Sequence, residues 1–306
     1  MTAPDLTVRI GSMTMKNPVV VPSGIFGYGD EFAGLADYGQ LGALVLKTIT
    51  REPRAGNPPA HRTVETPAGM VNAIGLENVG LEAFLRDKLP AALHHNTNII
   101  ASIAGDTPAE FAHCARALDP TDIAAIEINI SCPNVNKGGM AFGIHPDASA
   151  EVTSAVRAVT NKPVIPKLTP NVTDIAAVAV ACEKAGADAI SLVNTFSAMV
   201  IDVERRRPLL AVGTGGLSGP AIRPAAVYCV YQVAQAVQVP IIGMGGIWNA
   251  NDALEFILAG ASAVAVGTAL YADPSAPHRI LAGVRDYLER HNAPSISHIV
   301  GSLKPH

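Results

Sequence analysis

The amino-acid sequence predicts a (β/α)8 barrel, with residues 1–306 forming a single domain. Three observations lead there. Eight short runs rich in Val and Ile recur along the chain, and near-continuous apolar runs mark parallel strands buried on both faces. Between most of them lies a helical pattern of about 10–15 residues, the spacing of βαβ units. Two helix-to-strand junctions nearly repeat each other, Ala185-Gly-Ala-Asp-Ala-Ile190 and Ala259-Gly-Ala-Ser-Ala-Val264. Glycine there fits a left-handed helix end that turns the chain back into the next strand. An open, doubly wound sheet is the competing arrangement.

Taken in order, Val8-Arg-Ile-Gly-Ser-Met-Thr-Met15 alternates around Gly-Ser and predicts an N-terminal hairpin. The first barrel strand, Val19-Val-Val21, runs into Pro22-Ser23-Gly24. The second, Ala43-Leu-Val-Leu-Lys47, is followed by Thr48. The third, 98–103, carries Ser102, and the fourth, 125–130, leads into Ser131-Cys132-Pro133-Asn134. The fifth, 164–168, contains Lys167; the sixth, 189–193, ends at Asn194-Thr195. The seventh, 239–244, is followed by Gly245-Gly246, and the eighth, 263–266, by Gly267-Thr268. Residues 174–185 and 251–258 show the helical pattern most clearly. Two connections, 48–96 and 194–238, are long inserts that leave C-terminal strand ends, the face where barrels build their sites. The first holds Pro53, Pro58, Pro59, Pro67, Gly69 and Gly75, and predicts ordered structure roofing the barrel.

Composition narrows the function classes. A net charge of −4 and an acidic pI of about 6.1 argue against nucleic-acid binding. The basic run Arg205-Arg-Arg207 is expected to be a solvated loop. The N-terminus lacks an apolar core of the signal-peptide kind. The longest uncharged run, between Arg223 and Asp252, is broken by glutamines, Pro240 and glycines, so no membrane span is expected and the cytoplasm is the default location. Four widely spaced cysteines without C-x-x-C indicate neither a disulfide framework nor a metal site, and the nine histidines form no metal-binding spacing. Cys114, Cys182 and Cys229 fall in helical patterns and are expected to be small core residues; His94-His95 is expected at the surface or a helix end.

The residues at the strand ends carry the chemistry. Lysines embedded in apolar strands, Lys47 and Lys167, are costly to bury without an anionic or hydrogen-bonding partner. One could reach solvent along its stem; two at the same end of a barrel point to a shared polar ligand. Gly213-Thr-Gly-Gly-Leu-Ser-Gly219, Gly243-Met-Gly-Gly246 and Gly267-Thr268 follow strands six, seven and eight. In barrels that is the usual phosphate site, lined by backbone N–H groups; glycines serving turns alone are the lesser alternative. Neither of the first two is G-x-G-x-x-G, since Ser218 and Trp248 stand where the third glycine would be. A cysteine leaving strand four, Cys132, is either packing or a reactive thiol.

Asn129-Ile-Ser-Cys-Pro-Asn134, Asn72-Ala-Ile-Gly-Leu76, Thr214-Gly-Gly-Leu-Ser-Gly-Pro-Ala-Ile222, Ile242-Gly-Met-Gly-Gly246 and 259–268 together resemble the class 1 dihydroorotate dehydrogenases. The likeness runs over essentially the whole chain and is nearest to the catalytic subunit of the class 1B, NAD-linked type. It implies an FMN-containing barrel, a homodimer core, and oxidation of dihydroorotate to orotate in de novo pyrimidine (UMP) biosynthesis. It further implies that Cys132 is the catalytic base. Substrate would be held by Lys47, Asn72, Ile74, Gly75, Leu76, Asn129, Asn134, Asn194 and Thr195. FMN would contact Ser23, Lys47, Thr48, Ser102, Asn129, Lys167, Val193, Gly219, Gly245, Gly246, Gly267 and Thr268. Ser102 stands where relatives often have Asn, and Phe196–Met199 lacks a glycine often seen in that loop. No metal ligands are implied on this chain. FAD and a 2Fe–2S centre are expected only on a separate electron-transfer subunit that passes electrons to NAD+, in a heterotetramer.

Alternatives are a dihydropyrimidine dehydrogenase-like flavoprotein, which shares the Asn-Cys-Pro loop logic, and a fumarate-linked class 1A enzyme. A non-redox aldolase or isomerase using Lys47 or Lys167 is a different class. A barrel retained only as a scaffold leaves the polar strand ends unexplained.

Overall fold

Val and Ile favour strands because branching at Cβ suits a pleated, packed surface. In a computed structural model of the chain, which describes residues 3–29, 34, 37–131 and 142–304, each apolar run contains a strand. A hairpin comes first, β1 (Val8–Ile10) and β2 (Met13–Met15). Then follow β3 (Val19–Val21), β4 (Ala43–Val45), and a second hairpin, β5 (Thr63–Thr66) and β6 (Gly69–Asn72). Strands and helices alternate through β7 (Asn98–Ile103), α1 (Pro108–Leu118), β8 (Ala125–Asn129), α2 (Pro146–Arg157), β9 (Val164–Lys167), α3 (Ile175–Lys184) and β10 (Ile190–Leu192). Next come the short strands β11 (Phe196–Ala198), β12 (Ile201–Asp202), β13 (Arg207–Pro208) and β14 (Gly215–Ser218). The last elements are α4 (Arg223–Ala234), β15 (Ile241–Met244), α5 (Ala250–Ala259), β16 (Ala263–Ala265) and α6 (Ala276–Arg290).

Among the described residues, β3, β4, β7, β8, β9, β10, β15 and β16 close into one parallel barrel in that order. The closing pair sets Val264 opposite Val19, which rules out the open sheet. Helix starts follow side-chain chemistry: Asp174 accepts from the Ala177 N–H at 2.9 Å, and Asn249 with Asp252 forms a capping box at α5. Helix ends behave as the sequence predicts, with Gly186 at φ +96° and Gly260 at φ +124°. The outer helices bury their inner faces on the wall. Phe256 of α5, fully buried, packs where a Cβ on Gly243 of β15 would come within 2.8 Å of its ring; burying one such side chain contributes about 1.5–3 kcal/mol.

The N-terminal hairpin alternates buried and exposed residues. Thr14 accepts at 3.0 Å from Asn98, at the start of β7, and Gly11 abuts Asp188, just before β10. The hairpin therefore covers the N-terminal end of the barrel. The two inserts occupy the other end, and they pair with each other. β11, β14, β6 and β5 form one antiparallel sheet in that order, with Gly216 opposite Asn72 and Leu217 opposite Val71. That pairing joins positions roughly 140 residues apart and puts Gly215–Ser218 of the glycine-rich segment 213–219 in a strand. Cys114 and Cys182 are buried as expected, whereas Cys229 on α4 is only half-buried. Arg205–Arg207 is exposed, with Arg205 paired to Asp202 at 3.1 Å. Among the described residues no helix is long and apolar enough to cross a membrane.

Candidate active site

A parallel barrel directs every strand's C-terminal end to one mouth. There the structure encloses a cavity of about 650 Å³ between the strand ends and the insert sheet. Three polar arrays face it.

The first is a chain of side-chain hydrogen bonds across β4, β7, β8 and β10. Ser102 and Thr48 hydroxyls lie 2.8 Å apart, Asn129 Nδ2 donates to Thr48 Oγ1 at 3.2 Å, and Ser131 Oγ donates to Asn129 Oδ1 at 2.7 Å. Asn194 Nδ2 donates to Ser131 Oγ, and Asn194 Oδ1 accepts the Thr195 N–H at 2.8 Å. Thr48, Asn129, Asn194 and Thr195 line the cavity; Ser102 is buried behind Thr48 and is not among the lining residues. Asn129 and Asn194 are thus fixed in orientation through Ser131, and both face the cavity with groups that can donate and accept.

The second array is ionic. Lys167, 5% exposed, donates from Nζ to Ser23 Oγ at 3.3 Å; Ser23 in turn donates to Oε1 of Glu127, 2% exposed, at 3.1 Å. Ser191 Oγ approaches the other carboxylate oxygen at 3.4 Å. Ser23, Lys167 and the half-buried Lys47 line the cavity.

The third is backbone. Gly219, Gly245, Gly246, Gly267 and Thr268 line the cavity, and among the described residues their N–H groups donate to no acceptor. A Cβ on Gly246, at φ +81°, would lie 2.7 Å from the Gly219 carbonyl oxygen and 2.9 Å from Arg223, so only glycine lets these segments meet. Converging free N–H groups without covering side chains form an anion cradle. Val193 packs beside it, its Cγ2 being 3.2 Å from where a Gly245 Cβ would stand. Tyr271 stands exposed at the rim.

The roof contributes Asn72, Ile74, Gly75 and Leu76 to the lining. Asn72 Nδ2 reaches the Gly216 carbonyl at 3.4 Å. Asn57 clamps the segment from behind, donating from its N–H to Ile74 O at 2.9 Å and from Nδ2 to Ala73 O at 3.0 Å. Gly75 at φ +80° and Leu76 at φ +55° put two consecutive residues in the left-handed region. For Leu76 that costs roughly 1–3 kcal/mol, the kind of strain that clusters at ligand-gripping segments.

Sequence patterning missed Glu127 and Ser191. The signal was there: Glu127 is the one acid in Ala125-Ile-Glu-Ile-Asn129 and shares a face with Asn129 two residues on. It also missed Asn171, which lines the cavity, donates to Thr195 O and accepts the Ser197 N–H, both at 2.9 Å. Of the residues expected at the site, Cys132 and Asn134 lie outside the described residues.

A wall of fixed amides, a buried lysine and a phosphate-sized backbone cradle agree with the family motifs, and the comparison with known proteins decides the family. The family model for dihydroorotate dehydrogenase matches residues 5–288. The chain belongs to the dihydroorotate dehydrogenase family. Among curated dihydroorotate dehydrogenases, a protein of Geotalea daltonii is 52% identical over 305 residues, covering 99% of this chain and 100% of its own length. One from Trichlorobacter lovleyi is 53% identical over 302 residues, 98% of this chain and 99% of its own. One from Desulforudis audaxviator is 56% identical over 296 residues, 96% of each. All three carry the name dihydroorotate dehydrogenase B (NAD(+)), catalytic subunit. Dihydroorotate dehydrogenases are oxidoreductases that use a flavin, and a cavity of about 650 Å³ lined by strand-end glycines, Lys167 and the amides is compatible with one.

Proposed function

We propose that this chain is the catalytic subunit of an NAD-linked dihydroorotate dehydrogenase, which oxidises dihydroorotate to orotate in pyrimidine (UMP) biosynthesis with FMN as its flavin. The observation that carries this reading is that a cradle of free backbone N–H groups, the Lys167 ammonium and the Thr48–Asn129–Asn194 amide chain all face one cavity. A monophosphate flavin needs the first two, and a flat pyrimidine needs the third.

The free N–H groups of Gly219, Gly245, Gly246, Gly267 and Thr268 would hold the FMN phosphate. Thr48, Ser102 and Val193 would support the ring system, Ser102 through its bond to Thr48. Lys167, with Ser23 beside it, would sit at the pyrimidine edge of the flavin, where reduction adds negative charge that a fixed ammonium favours. When bound, FMN supplies the acceptor for the hydride that leaves C6 of dihydroorotate. Asn72, Asn129, Asn134 and Asn194, with Thr195, would fix both amide edges of the substrate, and Lys47 would contribute a cation between substrate and cofactor. The Ile74–Gly75–Leu76 backbone would take the carboxylate. Cys132 would remove the C5 proton; a thiol with an ordinary value of about 8.5 is partly ionised near neutrality and needs only modest activation.

Electrons must then leave. The relatives are named as catalytic subunits of NAD(+) enzymes, a name that supports a division in which NAD+ reduction falls to another subunit. That partner would carry FAD and a 2Fe–2S centre, assembled with a homodimer of this chain as a heterotetramer in the cytoplasm.

The test is the visible spectrum of the purified chain under anaerobic conditions. The expected protein is yellow and is bleached by dihydroorotate but not by dihydrouracil. Cys132→Ser should lower the bleaching rate at least 100-fold while flavin content stays at the parent level. A colourless chain that takes up no FMN would refute the reading. NAD+-linked turnover by the chain alone would refute the division of labour.

A further inference from the structure

Glu127 has no part in the steps above, yet it is a buried acid directly behind the Ser23 side chain that lines the site. It stands on β8 two residues before Asn129 and so points to the same interior face. Lys167 projects from the neighbouring strand, where Asn129 is its register partner. Both side chains are almost fully enclosed, and among the described residues the two charges make no direct ion pair within 4 Å. Ser23 lies between them instead, 3.3 Å from Lys167 Nζ and 3.1 Å from Glu127 Oε1.

The hydrogen-bond chemistry of this link has one direction. An ammonium only donates, so Ser23 Oγ accepts from Lys167, and its own proton is left to point at Glu127. Ser191 supplies a hydroxyl to the second carboxylate oxygen at 3.4 Å. Both oxygens therefore serve as acceptors. A polarised hydroxyl transmits charge better in a low-dielectric interior than in water. A carboxylate in direct contact would neutralise the lysine; one held a hydroxyl away leaves the ammonium available to a ligand and tempers its field.

We infer that Glu127 is a positioning residue that sets, through the Ser23 hydroxyl, the field that Lys167 presents to the flavin, and thereby the flavin's reduction potential. This rests on the flavin placement proposed above. Removing the carboxylate's charge exposes the full ammonium to the reduced flavin's added negative charge, so the potential moves to more positive values.

The experiment is an anaerobic spectroelectrochemical titration of the flavin-loaded chain. Glu127→Gln keeps the shape and an acceptor oxygen, and is expected to favour the reduced flavin at least tenfold, about 30 mV for a two-electron couple, with flavin content unchanged. In a Lys167→Met background the same substitution should lose more than half of that effect. Ser23→Ala keeps both charges and cuts the link; it should shift the potential in the same direction, and it carries the test if Glu127→Gln fails to fold. An unchanged potential in the folded variants overturns the proposal, since a purely structural Glu127 is served equally by glutamine. An equal shift with and without Lys167 also overturns it, by showing a direct field. A chain that binds no flavin overturns both this inference and the placement it rests on. A Lys167→Met effect on potential with none from Glu127→Gln overturns this inference alone.

Discussion

The barrel wall and the roof over its mouth are both sheets, built on opposite principles. Every residue of β3, β4, β8, β9, β10, β15 and β16 is buried, and each strand pairs with a neighbour one βα unit away or across the closure. The roof strand β5 alternates exposed and half-buried residues, β14 is half-buried throughout, and Val71 is the roof's one fully packed aliphatic among the described residues of β5, β6, β11 and β14. The wall is held by apolar burial. The roof is held by backbone pairing, with glycines where its strands approach most closely: a Cβ on Gly215 would stand 2.5 Å from Asn72 O, and one on Gly216 would run into Thr195. A sheet with little buried area belongs to the low-stability end of a molecule, the end from which ligand-covering elements are drawn.

Substitutions that remove packing should separate the two regions. Phe256→Ala empties a fully buried site between α5 and β15 and is expected to cost about 3–5 kcal/mol of global stability in urea unfolding. Val71→Ala should cost less than half of that, and should speed amide exchange in β5, β6, β11 and β14 without affecting the barrel strands. Equal global losses from the two would show that roof and wall unfold as one unit.

These differences also explain what could be read from the linear chain. Val19-Val-Val21 or Ala263-Val-Ala-Val266 announces a buried parallel strand by composition alone, and Gly186 and Gly260 announce the turn back into the next strand. Nothing local in Gly215-Gly-Leu-Ser218 shows that its partner is Gly69-Met-Val-Asn72, since that pairing is decided by two inserts meeting above the barrel. The same limit applies to the site. Lys47 and Lys167 stood out because a charge in an apolar strand needs a reason, and the glycines stood out because three clusters follow three consecutive strands. Glu127 shows the same anomaly as the lysines, but its link to Lys167 runs through Ser23 on another strand's exit, a relation of space rather than sequence.

Two glycines carry the contrast into function. At the cradle, Gly246→Ala puts a Cβ at φ +81° within 2.7 Å of the Gly219 oxygen, which should spread the free N–H groups and weaken FMN binding at least 100-fold, about 2.7 kcal/mol. Fluorescence titration of the flavin-free chain would measure it. In the roof, Gly216→Ala displaces Thr195 and the β11–β14 pairing. The expected result is about a tenfold rise in KM for dihydroorotate, roughly 1.4 kcal/mol, with flavin content unchanged. If Gly216→Ala also sheds the flavin, the roof is part of the cofactor site and its separation from the wall fails.

The smallest expected effect concerns the thiols of the helices packed on the wall. Burial, reinforced by the Glu110 carboxylate and opposed by Arg51, pushes Cys114 up to about 11; burial against a hydrogen bond from Thr153 does the same for Cys182, to about 11. The thiolate is the reactive form, so at pH 8 both should resist iodoacetamide in the folded chain and react fully in urea. The sign of the pH dependence follows from the neutral form being favoured by folding. Stability from these buried thiols is fully present below the ordinary thiol value and is lost as pH rises through about 11, because the unfolded chain releases its thiol protons first. Labelling of Cys114 and Cys182, followed by peptide mass spectrometry, should therefore rise together with global unfolding between about pH 9 and 11, while Cys229, which is only half-buried though also raised by burial, labels earlier. Rapid labelling of Cys182 at pH 8 would mean that the α3 face of the wall opens on its own, and the wall would then share the roof's looseness.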